Sequence, residues 1–384
     1  MTERQKEPQT SIIEIRDQLK AQFIERDEQI DGTICAILSK QHLFMVGPPG
    51  TAKSMLTDEI CRRIEGADYF QWLLTKFSTP EEIFGPISLK ALENDEYKRI
   101  THNKLPEAHI AFLDECFKAN SAILNSLLTL VNERKYHNNG TPVNVPLQSL
   151  FGASNELPEG EELGALYDRF ILRYVVPYIA DDNDFKNMLL MDGNARSPIT
   201  ITTQDLKANQ EAAMATIVPD EILDLVIQIR NELKKEGVIN SDRRYKQSLD
   251  ILKAHAYING RKAVGEEDLT ILQHILWSQP AEIKTVNRVI IGTSNPLMNK
   301  IMEILDQAHE IEAEVQKALK DDPDQASASG VEANTKLKKL GEQLQVHRET
   351  AETQGKSTGK IDDTITKVAD INKQVLHDCL GFDI

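Results

Sequence analysis

Residues 47–54 read Gly-Pro-Pro-Gly-Thr-Ala-Lys-Ser and follow directly on the apolar run Leu43-Phe44-Met45-Val46. Few folds accommodate that order. An apolar strand running into a glycine-rich turn and then a helix wraps backbone N–H groups around a phosphate at the helix N-terminus. The lysine of such a loop reaches the β- and γ-phosphates, and the hydroxyl after it reaches Mg²⁺. Lys53 and Ser54 occupy those two places. Gly47, Pro48, Pro49, Gly50, Thr51 and Ala52 complete the loop, and Met55 begins the helix. Ala52 stands where a second glycine is usual. Alanine fits there if the residue has right-handed helical dihedrals, and that conformation is the expectation.

A second strand-to-helix passage begins at Ile-Ala-Phe-Leu-Asp-Glu, residues 110–115. An acid at the end of a buried strand beside the loop can hold Mg²⁺, which gives Asp114 the metal together with Ser54. Its neighbour Glu115 can polarise the water that attacks the γ-phosphate. Alone, the pair would read as a solvated helix start; sixty residues after the loop lysine and serine, it reads as the second half of one site. The run 147–155 is a third strand and ends on Asn155, which either holds the attacking water or caps a turn. Arg169 and Arg173, in Tyr-Asp-Arg-Phe-Ile-Leu-Arg, are candidates for an arginine placed on the γ-phosphate, often from a neighbouring subunit. A surface pairing with Asp168 is the plain alternative. Arg243 and Arg244 open a helix and either reach the phosphates from a lid or lie on the helix surface.

Strands alternating with helices imply an α/β fold with a parallel sheet between helices. Apolar residues at helical spacing, from Ile12 to Ile24 and from Ile30 to Leu38, place helices before the first strand. Residues 86–104 read as a β-hairpin around Asn94-Asp95, and residues 135–147 as another, turning at Asn139-Gly140. From about residue 184 helices dominate. Pro219 starts one of them, and two more fill 243–278 around Asn-Gly-Arg-Lys-Ala-Val-Gly-Glu-Glu-Asp. Further helices at 297–320 and 331–350 are separated by a flexible linker, Asp-Asp-Pro-Asp-Gln-Ala-Ser-Ala-Ser-Gly, and a second linker at 353–360 precedes a terminal amphipathic helix. The expected division is 1–180 for the α/β domain, 181–279 for a helical lid and 280–384 for a helical extension.

Composition narrows the partners. The formal charge of −16 and pI near 5.1 argue against non-specific nucleic-acid binding. No apolar run reaches the roughly 20 residues that span a bilayer. The polar N-terminus lacks the apolar core of a signal peptide, so the expected location is the cytoplasm without membrane insertion. Cys35, Cys61, Cys116 and Cys379 form no Cys-x-x-Cys pair and read as reduced, mostly buried thiols.

Together, Gly-Pro-Pro-Gly-Thr-Ala-Lys-Ser, the segment FGPISLKAL, the run LPEAHIAFLDECFKANSAILNSLLTLVNER and the run LFGASNELPEGEELGALYDRFILR resemble the MoxR family of AAA+ ATPases, and within it the RavA-like branch. The resemblance covers roughly residues 10–280. It implies an AAA+ P-loop domain followed by a helical lid, with ATP and Mg²⁺ as ligands. It makes Lys53 and Ser54 the Walker A pair, Asp114 and Glu115 the Walker B pair and Asn155 the sensor 1 residue. Arg169 takes the arginine-finger position, acting in trans, with Arg173 the second candidate; Arg243 best matches sensor 2, with Arg244 left open. Residues 86–104 correspond to the helix-2 insert and 135–147 to the hairpin before sensor 1. Alanine before the P-loop lysine is usual in the family. Family members form hexameric rings that remodel or chaperone proteins, often with a von Willebrand factor A domain partner. RavA carries a β-rich insertion near its C-terminus, and residues 281–384 read as helices and linkers only. The leading expectation is an ATP-driven ring remodeller with an unidentified protein client. A nucleotide-regulated scaffold and a nucleic-acid motor are the alternatives, the first disfavoured by the intact Asp114–Glu115 pair and the second by the charge.

Overall fold

The computed structural model describes residues 8–191, 197–294, 296–321, 323–353 and 358–380. The chain forms two compact units, Met1–Val286 and Asn287–Ile384. In the first, helices α1 (Pro8–Gln22) and α2 (Asp27–Leu38) lead into strand β1 (His42–Val46), the phosphate loop and α3 (Lys53–Arg62). There follow β2 (Ile64–Glu65), β3 (Tyr69–Leu73), the short helices α4 (Pro80–Phe84) and α5 (Leu89–Leu92), and β4 (Ile110–Asp114). Next come α6 (Ser121–Glu133), β5 (Lys135–Asn138), β6 (Thr141–Asn144), β7 (Ser149–Ser154), α7 (Glu161–Tyr167) and β8 (Phe170–Val175). After α8 (Asp182–Leu190), β9 (Ile201–Thr202) and α9 (Thr203–Met214) come α10 (Asp220–Lys235) and α11 (Asp242–Ile258).

Five parallel strands form the main sheet in the order β3-β4-β7-β1-β8. β1 and β7 are buried along their whole length, as a sheet covered on both faces requires. Parallel pairing puts the last residues of β1, β4 and β7 along one edge, where ligands of open α/β sheets bind. The loop after β1, the acids after β4 and Asn155 after β7 therefore meet there. Sequence periodicity did not single out β3, which mixes buried and exposed positions at the sheet's margin, or β8, whose buried run of apolar residues is interrupted by Arg173.

The insert at 86–104 departs from the expected hairpin. Its ends pair antiparallel, through Ser88 N–H to Lys98 O at 2.8 Å and Ile100 N–H to Pro86 O at 2.8 Å, but its outer part is the single turn α5. Ser88 caps that turn by accepting the Ala91 N–H, and Leu-Lys-Ala-Leu favours helix over strand. Gly85 makes the narrow neck possible. It has φ of 96°, and a β-carbon there would lie 1.8 Å from the Ile100 carbonyl oxygen. Residues 135–144 form a β-hairpin with Asn139 and Gly140 both at positive φ, as a two-residue primed turn demands. Its tip is tied to the insert: Asn138 accepts from Arg99 N–H at 2.8 Å and donates to Arg99 O at 3.1 Å, and Asn139 accepts from Tyr97 N–H at 3.0 Å.

Of the two helices expected in 243–278, the first is α11 and the second is a 3₁₀ helix, Glu266–His274. The buried Asp268 carboxylate accepts the Gly265 N–H at 2.9 Å and pairs with His255 at 2.6 Å and with Arg261, which fixes the tight first turn. Helix α12 (Ile283–Ser294) follows. In the second unit, α13 (Pro296–Asp321), α14 (Pro323–Thr353) and α15 (Gly359–Leu380) pack around Ile301, Ala308, Leu337, Leu344, Val368 and Val375. The linker expected after residue 320 is largely helical: α14 starts at Pro323, a residue favoured in a first helical turn. Half of the second expected linker, 354–357, lies outside the described residues, and its last two residues, 359 and 360, already belong to α15. Among the described residues of this unit every element is a helix. Among the described residues, no helix is long and apolar enough to cross a membrane. Cys35, Cys61 and Cys116 are free and buried; Cys379 is half-buried.

Candidate nucleotide site

Gly47 begins the loop where the chain passes between two neighbouring strands. Its N–H donates to Ser154 O at 3.1 Å, and a β-carbon on it would lie 2.2 Å from the Val176 carbonyl oxygen. Only glycine fits so close an approach. Ala52 then adopts φ of 64° and ψ of 19°, the left-handed region, which corrects the right-handed expectation. The conformation costs an L-residue about 1–2 kcal/mol. It turns the chain so that Lys53 starts α3. The Lys53 ammonium folds back on the loop, donating to Gly47 O at 2.7 Å and Pro48 O at 2.8 Å, with Thr51 Oγ1 at 3.3 Å. Burial depresses its pKa, and the carboxylates of Asp114 and Glu115 oppose that shift. Ser54 and Met55 follow in the first turn of α3, where backbone N–H groups lack helical partners.

Asp114 ends β4, half-buried, and accepts the Glu115 N–H at 3.0 Å; loss of solvent raises its pKa above the ordinary carboxylate value. Glu115 takes φ of 51° and turns its carboxylate toward β7. There Asn155 Nδ2 donates to Oε1 at 2.7 Å, while Ser154 Oγ at 3.2 Å and Lys118 Nζ at 3.2 Å hold Oε2. The sequence reading missed Ser154 and Lys118. Lys118 lies three residues after Glu115, a spacing at which opposite charges meet on a helical turn. Arg26 was also missed. It is buried beside the loop, with Nη2 donating to Pro177 O at 2.7 Å and Nε 3.5 Å from Thr51 O. Nothing in the sequence links a residue before α2 to a loop 25 positions later.

The arginines fall elsewhere. β8 pairs with β1 from His42↔Phe170 to Val46↔Val175, so Arg169 precedes the first residue of β8 while Gly47 follows the last of β1. The two positions are separated by slightly more than one strand length, about 20 Å. Arg169 pairs with Asp168 at 3.3 Å, and its Nε is buried without a partner. Burial, then the charge of Arg243, depresses its pKa. Arg243 is exposed and its Nη2 lies 3.4 Å from Asn132 Oδ1, near the end of α6. Arg243 thus joins Arg169 at the strand-start edge, exposed on the helix surface and away from its own chain's phosphate loop. The candidacy of Arg173 for the γ-phosphate is corrected. Its guanidinium is buried over the Tyr167 ring and donates to Trp277 O at 2.6 Å, Tyr167 O at 3.1 Å and Phe170 O at 3.2 Å. Burial pulls its pKa down to about 9. It ties β8 to the segment after the 3₁₀ helix and has no face left for a phosphate. Arg244 is likewise interior, bonded to Ile171 O at 3.1 Å, Ile275 O at 2.9 Å and Asp168 Oδ1 at 3.2 Å.

The donor set fits a nucleotide with a hard divalent cation: a glycine-lined turn, a helix N-terminus, an ammonium, a hydroxyl and a carboxylate. Comparison with known proteins agrees. The MoxR domain of MoxR-vWA-beta-propeller ternary systems matches residues 10–217, and an AAA lid domain matches 221–290. The chain is 42% identical to the uncharacterized protein MJ0812 of Methanocaldococcus jannaschii over 85% of its own length and 87% of the relative's. It is 22% identical to the chaperone MoxR1 of Mycobacterium tuberculosis over 82% and 87% of the two lengths. A crystal structure from Cytophaga hutchinsonii, described as that of a candidate ATPase, superposes with a TM-score of 0.59 at 16% identity, covering 73% of this chain and 94% of that one. With a MoxR domain over more than half its length, an AAA lid after it and a phosphate loop at the end of β1, the chain belongs to the MoxR family of AAA+ ATPases.

Proposed function

We propose that this chain hydrolyses ATP at sites completed between copies in a ring, and uses the cycle to remodel or chaperone partner proteins. The observation that carries the reading is the separation of Lys53, Asp114, Glu115 and Asn155 from Arg169 and Arg243 by one strand length. An arginine on the γ-phosphate accelerates transfer strongly, and here a second copy must supply it.

In this reading Lys53 leaves the Gly47 and Pro48 carbonyls for the β- and γ-phosphates. Ser54 and Asp114 would hold Mg²⁺, which when bound would supply positive charge to offset the charge developing in phosphoryl transfer. Glu115 and Asn155 now bond each other; a water placed between them would be held by the amide and polarised by the carboxylate. Arg169 of the next copy, with Arg243 beside it, meets the γ-phosphate. A hexamer, a RavA-like motif order and a von Willebrand factor A domain partner belong to the same proposal. The MoxR-vWA-beta-propeller description of the matching domain supports the last of these.

The test is ATP hydrolysis per chain against protein concentration, with Arg169→Ala alongside. Specific activity that climbs with concentration, and an Arg169→Ala protein that binds ATP without turnover, supports shared sites. Activity independent of concentration and of Arg169 removes them.

A further inference from the structure

Helix α8 buries none of its nine side chains. Phe185, Met188 and Leu189 recur at i, i+3 and i+4, and Leu190 follows; Leu189 is 66% and Leu190 70% exposed. So short a helix is marginal in water, and most helical stability comes from packing an apolar face. The start of α8 is nonetheless built with care. The Asp181 carboxylate accepts the N–H groups of Asn183 at 2.8 Å and Asp184 at 3.1 Å. One residue earlier, the Glu25 carboxylate accepts the N–H groups of Ala180 and Asp181, each at 3.0 Å. Asp182 and Asp184 add negative charge where the helix dipole favours it. The helix is therefore anchored at its base and uncovered along its apolar face.

We infer that this face is a contact for a second copy of the chain, beside the phosphate loop. The inference rests on the shared-site reading above and adds to it the surface that joins the copies. Two observations select a second copy as the occupant. The segment leading into α8 is fixed at the loop edge of the sheet, through Val176 N–H to Val46 O at 2.8 Å and Arg26 to Pro177 O at 2.7 Å. A neighbour that brings Arg169 and Arg243 to this loop lays its strand-start edge over the same region. Charge agrees: the approaching edge carries those two guanidinium groups, and α8 opens with the carboxylates of Asp181, Asp182 and Asp184. Leu189, Met188 and Phe185 then supply the apolar centre of a contact whose rim is charged, the usual anatomy of an association surface.

The experiment compares the full chain with a Met188→Glu/Leu189→Glu variant by sedimentation with and without ATP. Both side chains are already exposed, so the variant should keep the helical circular dichroism, the thermal midpoint and the ATP binding of the parent. Assembly should weaken by about 100-fold, as expected when central contacts of an interface are lost. A measurement on the unaltered chain guards against damage by substitution. Amide exchange at residues 182–190 should slow at least about 10-fold on assembly. Undiminished assembly of the variant, or exchange that does not change on assembly, overturns the role of α8 and leaves the shared site standing. A parent chain that stays single at every concentration with ATP overturns both.

Discussion

The two edges of the central sheet do opposite things with charge. At the strand-end edge, Lys53, Asp114, Glu115 and Asn155 come from three separate strand ends and converge within hydrogen-bonding distance or close electrostatic reach. At the strand-start edge, Arg169 and Arg243 stand near each other, with Asp168 bonded to Arg169, although burial and then the charge of Arg243 disfavour the charge on Arg169. A single chain gains nothing evident from that second arrangement. Its value appears when the strand-start edge of one copy faces the strand-end edge of another, so the contrast separates what the fold completes alone from what it leaves to assembly.

The largest effect should come from splitting the two edges between chains. Lys53→Ala and Arg169→Ala should each lower ATP turnover by about 10³-fold or more. Mixed in equal amounts, they should regain part of the activity, because some contacts then pair an intact loop with an intact arginine. A mixture as inactive as its parts breaks the comparison. Arg173 sharpens it from the other side. Arg173→Met leaves three carbonyls without their donor and should lower unfolding stability by about 2–4 kcal/mol in urea titrations, with ATP affinity of the folded fraction unchanged.

A smaller effect separates the edges by pH. His42 begins β1 fully buried, its Nδ1 accepting the Leu150 N–H at 2.9 Å, and burial holds its pKa well below the usual 6.5. The unfolded chain therefore binds a proton that the folded chain refuses. Stability should fall as pH drops below about 6.5, by up to about 1.4 kcal/mol per unit until the folded pKa is reached. Urea midpoints at pH 7.5 and 5.5 measure the slope, and a His42→Gln variant should flatten it. The smallest effect is at Ala52. Ala52→Gly relieves a left-handed alanine but loosens the unfolded chain, so stability should rise by no more than about 1 kcal/mol.

The strand-end edge was legible in the sequence because each of its residues follows an apolar run directly: Val46 before the loop, Leu113 before Asp114, Ala153-Ser154 before Asn155. Order along the chain becomes proximity wherever parallel strands end together. The strand-start edge was not legible in this way. Arg169 and Arg173 differ by four residues in one stretch of sequence, yet one borders solvent and the other is enclosed by carbonyls from Tyr167, Phe170 and Trp277. The difference depends on the segment near Trp277, which comes a hundred residues later. For the same reason Arg243 and Arg244, adjacent in sequence, divide into an exposed and an interior residue. The insert misled by a local competition: Asn94-Asp95 looks like a hairpin turn, but the Ser88 cap and the helix-forming residues after it prevail.

The bracket that Asn138 makes on Arg99 has a consequence for how this part of the molecule can change. A side-chain amide there imitates a peptide group, receiving one hydrogen bond from the insert and returning another. Two excursions of chain about forty residues apart thus depend on each other for their shape. Swapping or trimming either one alone strips partners from the one left behind. The pair, rather than either excursion, is the unit that can be exchanged between relatives without loss.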